Sequence, residues 1–126
     1  MSILFSLIES PSHPPFSALY QRLGITEQRF TAARKLHKAL PQQPPDFLVG
    51  EFIYGYGNNY AGVNVCNLDV TLYALQRFAP QAKVIVLVHP MEMPHVEKLT
   101  ALFRIHAVLP YPVTEQAMQQ ALAGGN

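Results

Sequence analysis

Two short, unbroken apolar runs limit the folds open to this chain. Residues 47–49 read Phe-Leu-Val, preceded by Pro44-Pro45-Asp46 and followed by Gly50-Glu51. Residues 84–88 read Val-Ile-Val-Leu-Val and end at His89-Pro90. Runs this short and this uniformly apolar, rich in β-branched residues, are the pattern of strands covered on both faces. Such strands belong to parallel sheets, whose crossover helices lie above and below.

The rest of the chain supplies those helices. Residues 3–8, apolar except for Ser6, read as a first strand. Phe16, Leu19, Tyr20 and Leu23 then recur at helical spacing after Pro15, and Gly24 stops the helix. Residues 29–33 are the candidate second strand. A helical face of apolar residues at 32, 33, 36, 39 and 40 follows and ends at Pro41, Pro44 and Pro45. After the third strand comes a loop with three glycines, four asparagines and three tyrosines, and Asn67 is placed to cap the next helix. That helix carries Leu68, Leu72, Leu75 and Phe78 on one face. Lys83 opens the fourth strand. Val96, Leu99, Leu102 and Phe103 mark a further helix that opens at Glu92 or Pro94, residues 107–109 a fifth strand, and Pro110-Tyr111-Pro112 a rigid turn with an X-Pro bond able to be cis. Thr114 caps a last helix, with Val113, Ala117, Met118, Ala121 and Leu122 on its apolar side. Strand and helix alternate five times. The expected fold is a doubly wound α/β sandwich with a five-stranded parallel sheet. One domain over residues 1–123 is expected, with 124–126 as a tail or the start of a linker.

Composition narrows the function classes. Nine Lys and Arg against eight Asp and Glu leave a formal net charge of +1, with no long basic run, so direct nucleic-acid binding is not expected. Charged residues make up 13%, against about 25% in ordinary domains, so much of the surface is neutral and suits a partner, a second copy, or simply a Gln-, Pro- and Ser-rich exterior. Cys66 is the single cysteine, which fits a reducing compartment, and a small buried role suits it better than a reactive thiol. No run approaches the ~20 apolar residues of a membrane helix, and residues 1–8 lack the basic start of a signal peptide. A cytoplasmic domain without membrane contact is expected.

The segment Pro45-Asp46-Phe47-Leu48-Val49-Gly50-Glu51, the strand Lys83 to His89, and Leu109-Pro110-Tyr111-Pro112-Val113-Thr114-Glu115 together resemble a response-regulator receiver domain of the CheY-like fold. The resemblance spans about residues 3–122 and implies strand order 2-1-3-4-5. It also implies two-component signal transduction, and it places the family's chemical positions. The phosphoacceptor Asp falls on Glu51. The acidic pair that holds Mg²⁺ falls on Ile8 and Glu9. The Ser/Thr at the end of the fourth strand falls on Val88, and the Lys before the fifth-strand proline falls on Tyr111, with Pro112 keeping the proline. Phosphoryl chemistry needs carboxylates around a divalent cation, an Asp nucleophile and cationic and hydroxyl groups. With most of these replaced, the resemblance implies a pseudo-receiver that works by protein contact, without a cofactor and without enzymatic activity. Its partner would be a signalling protein or a fused output domain, with a homodimer also open.

Three roles are open to Glu51, ordered as a structural residue, a fixed charge imitating a phosphorylated Asp, and last a nucleophile. Glu9, Glu51, His13 and His89 converge at the carboxyl edge if strands 1 and 3 are neighbours. That set is the weaker, metal- or small-molecule-sensing alternative, with ordinary solvated histidines as the plainer reading. Gly55-Tyr56-Gly57 begins like a dinucleotide fingerprint but follows the third strand and has Tyr60 where a small residue is required. Tyr54, Tyr56 and Tyr60 are read either as contact residues or as packing over the sheet edge. His95, Lys98, Leu102, Tyr111 and Gln119 form the other candidate interface, or an ordinary solvated surface.

Overall fold

The computed structural model describes residues 2–8, 16–53 and 68–123. Its elements are β1 (Ser2–Leu7), α1 (Ser17–Arg22), β2 (Ile25–Phe30), α2 (Ala33–Ala39), β3 (Phe47–Glu51), α3 (Asp69–Phe78), β4 (Lys83–Val88), α4 (Met93–Thr100), β5 (Ala107–Pro110) and α5 (Glu115–Ala123). A single 3₁₀ turn over Pro90–Glu92 leads into α4. The five strands are all parallel, in the order β2-β1-β3-β4-β5, as expected.

The strands that read as uniformly apolar are the central ones. β3 lies between β1 and β4, and Leu48, Val49, Ile85, Val86, Leu87 and Val88 are all fully buried. Alternate residues feed two cores. Phe5, Leu7, Leu48, Val84, Val86 and Val88 pack against Leu36 and Leu40 of the α2 region, Leu72 and Leu75 of α3, and Val96, Leu99 and Phe103 of the α4 region. Leu4, Ile8, Ile25, Val49, Ile85 and Leu87 pack against Phe16, Leu19 and Tyr20 beside α1 and Met118, Ala121 and Leu122 of α5. Each such side chain contributes about 1.5–3 kcal/mol when fully buried, so the two layers together drive the fold.

Local signals act where they were read. Gly24 adopts φ +72°, the left-handed conformation that ends α1 without a Cβ penalty. Thr114 Oγ1 accepts the Ala117 N–H at 3.0 Å and so caps α5. The Tyr111–Pro112 bond is cis. Two expectations are corrected. The second strand spans Ile25–Phe30 instead of residues 29–33, because β2 is an edge strand: only Ile25 and Phe30 are buried, and its register with β1, from Ser2 opposite Ile25 to Leu7 opposite Phe30, sets its position. Leu102 lies beyond the end of α4 and is 55% exposed, so it does not join that helix's buried face. The loop expectation and the cap at Asn67 lie outside the described residues.

Candidate functional site

The carboxyl ends of β1, β3 and β4 are adjacent, so side chains at residues 8, 51 and 88 stand along one rim. β3 places Glu51 there, opposite Leu87 of β4, and the ladder runs one step further through the Phe52 N–H donating to the Leu87 carbonyl at 2.7 Å. The preceding residue is Gly50 because α3 approaches closely: a Cβ at this position would meet Leu68 Cδ2 at 2.9 Å. Glu51 is 1% exposed. A carboxylate this deep requires polar partners.

Tyr111 supplies one. Its N–H donates to the Val88 carbonyl at 2.8 Å, which continues β5 alongside β4 and turns the side chain toward β3. The Tyr111 hydroxyl donates to Glu51 Oε2 at 3.1 Å. Burial pushes the Tyr111 phenol well above its usual range. The charge of Glu51 and the hydrogen bond to it push the same way, because each favours the protonated hydroxyl. His89 covers the tyrosine ring from the solvent side, with centroids 4.7 Å apart and planes tilted by 37°. The corner therefore holds a buried carboxylate, a phenol that keeps its proton, and an exposed imidazole. Val88 and Ile8 are buried apolar residues at the rim and provide neither hydroxyl nor carboxylate.

The sequence-expected sites sort as follows. Glu51, Tyr111 and His89 are brought together. Tyr111 departs from the interface expectation: its ring is buried, because it closes the rim over Glu51 instead of facing a partner. Lys98, Leu102 and Gln119 are exposed and His95 is half-buried. Glu9, His13, Tyr54, Tyr56, Tyr60 and Cys66 lie outside the described residues, so the four-residue metal set is not assembled from them here. Among the described residues, no three His, Cys, Asp or Glu side chains gather around one point.

Two polar arrangements went unread in the sequence. Ser6, buried in β1, donates from Oγ to Glu27 Oε2 at 2.9 Å, and Arg29 Nε lies 3.5 Å from the same oxygen. The signal available was the lone hydroxyl in an otherwise apolar strand. Above them the Tyr20 hydroxyl is buried without a partner among the described residues, and burial, followed by the nearby Glu27 charge, pushes its pKa up against a smaller opposing effect of Arg29. On the other face, His37 of α2 and Thr71 of α3 share a hydrogen bond, Nε2 to Oγ1, at 2.8 Å. Burial pushes the His37 pKa down.

Solved structures that share this architecture include several response-regulator proteins. A response-regulator receiver domain protein from Clostridium thermocellum superposes with a TM-score of 0.67 at 12% identity, over 98% of this chain and 92% of that one. A member of a family of streptococcal redox sensors evolved from two-component response regulators gives 0.72 at 12% identity, over 98% of this chain and 50% of that one. The two-component response regulator RcsB, solved with DNA, gives 0.68 at 16% identity, over 97% of this chain and 58% of that one. No family model and no curated protein matches the sequence. The chain has the receiver-domain fold.

Proposed function

We propose that this receiver-fold chain is a signalling domain that acts by protein contact and not by accepting a phosphoryl group. The reading rests on one observation, the hydrogen bond from Tyr111 to the buried Glu51. Glu51, which the sequence resemblance sets at the phosphoacceptor position, is 1% exposed and accepts a hydrogen bond from the phenol of Tyr111, which the resemblance sets at the lysine position. In-line phosphoryl transfer needs the acceptor oxygen open to the donor, with cations to offset the charge that collects on the phosphoryl oxygens. A carboxylate buried beneath a tyrosine does not present an open acceptor oxygen, and the phenol that touches it brings no positive charge. The same bond suits Glu51 to hold a fixed negative charge at the rim and keep Tyr111 turned inward. The output then runs through the surface, to a signalling protein or a fused output domain.

Incubation with acetyl phosphate and Mg²⁺, followed by intact-mass spectrometry, tests this. The expected result is no mass increase in either the native chain or Tyr111→Phe. Stable, Mg²⁺-dependent phosphorylation of Glu51 in the native chain overturns the proposal.

A further inference from the structure

The chain as a whole is almost neutral, but its charges are not evenly spread. α2 reads Ala-Arg-Lys-Leu-His-Lys-Ala, and Arg34, Lys35 and Lys38 are all exposed. Arg77 is exposed on the adjoining α3. No interaction between any of these four cations and a carboxylate is found among the described residues. α2 carries no acid, and the one acid of α3, Asp69, is 2% exposed. Most other described acids are engaged elsewhere: Glu27 with Ser6, Asp46 with the Ile3 N–H, Glu51 with Tyr111, and Glu115 with Arg22 at 2.9 Å.

This arrangement works against α2 itself. Arg34 and Lys35 stand in the first turn, where the helix dipole favours acids, and that turn has no acid and no side-chain cap. Arg34 and Lys38 are like charges four residues apart, a pairing that weakens a helix. Lys38, in the last turn, suits the dipole, but no carboxylate among the described residues pairs with Arg34 or Lys35. A partner of opposite charge would.

Apolar surface lies beside the cations. Val70 and Tyr73 of α3 are 57% and 59% exposed, and with Arg77 they stand at helical spacing along its outward side. The Tyr73 ring is held edge-on against Phe103, centroids 4.9 Å apart. The His37–Thr71 bond joins α2 to α3, so the two stripes form one surface.

We infer that the outward face of α2 and α3 docks an acidic protein segment that carries an apolar anchor, with Arg34, Lys35, Lys38 and Arg77 meeting its carboxylates and Val70 and Tyr73 its anchor. This deepens the reading above by naming the face through which contact runs. A nucleic-acid duplex fits less well, because four cations interrupted by two apolar side chains fall short of the 6–10 phosphate contacts, in rough terms, of a typical duplex binder. A lipid surface fits less well too, because the apolar stripe of the α2 segment, Leu36 and Leu40, is spent in the core.

The test uses the full chain and a short synthetic Glu-rich peptide with one Leu and one Phe. Amide shift mapping by NMR is expected to show perturbation over residues 33–39 and 69–78. The variant R34E/K35E/K38E is expected to bind about tenfold more weakly, from the loss of three exposed ion pairs. The double variant R34E/K35E, which keeps Lys38, is expected to melt no lower than the native chain, since acids in the first turn suit the dipole and position 34 then pairs with Lys38 four residues on. Val70→Ser with Tyr73→Ser is expected to weaken binding while leaving its salt dependence intact. Absence of peptide binding, perturbation elsewhere, unchanged affinity in the triple variant, or tighter binding to a DNA duplex or to phosphatidylserine vesicles overturns the inference. Phosphorylation of Glu51 would overturn the preceding proposal and leave this result standing, so the two fail separately.

Discussion

A single hydroxyl sets the character of the sheet's carboxyl rim. Glu51 is buried, and the bond from Tyr111 is a hydrogen bond to a charged acceptor, the stronger kind. Tyr111→Phe keeps the ring, its packing against His89 and the backbone bond to Val88, and removes only the donor. It is expected to cost about 1.5–3 kcal/mol in urea unfolding at neutral pH. A loss within the error of the linear extrapolation would mean that other partners of Glu51 suffice. Tyr111 was marked in the sequence for a different reason, as the residue before Pro112 in a receiver-like turn. Its partner was not legible, because the two residues are 60 positions apart and meet only through the order of three strands.

Among the elements, β3 and the start of α3 approach closely at Gly50. The position of Gly50 is explained by Leu68, which is fully buried against it. Gly50→Ala is expected to destabilise the chain by about 1–3 kcal/mol, the usual cost of overpacking a core. Adding Leu68→Ala should make the double variant less unstable than the two losses summed, since one change makes room for the other. Strict additivity would place the strain elsewhere. The central strands could be read directly because they are apolar on both faces. β2 could not: its Thr-Glu-Gln-Arg interior is what an edge strand tolerates, and that composition is equally at home in a loop.

Across the whole molecule, one half-buried histidine and two buried tyrosines bound a stability window. His37 is held neutral by burial, so as pH falls through about 6.5 the unfolded chain takes up a proton that the folded chain resists, and stability drops. Tyr20 and Tyr111 are held protonated, so as pH rises past about 10 the unfolded chain releases protons that the folded chain keeps, and stability drops again. Melting temperatures measured across pH are expected to form a plateau between these limits. His37→Gln should flatten the acid limb, and Tyr20→Phe with Tyr111→Phe the alkaline one. Limbs unchanged in these variants would assign the pH dependence to other groups.

The alternation of apolar runs with helical periodicity, punctuated by proline and glycine, was enough to specify an α/β sandwich with a parallel sheet, because burial on two faces and the helical repeat are local properties of a chain. The receiver-like segments extended that to the strand order. Which side chains meet is another matter. The Tyr111–Glu51 bond, the Ser6–Glu27 bond, the His37–Thr71 bond and the cationic face of α2 and α3 each join residues distant in sequence. Hydrogen bonding and Coulomb attraction act over a few ångströms of space, and only the folded chain decides what lies within that reach.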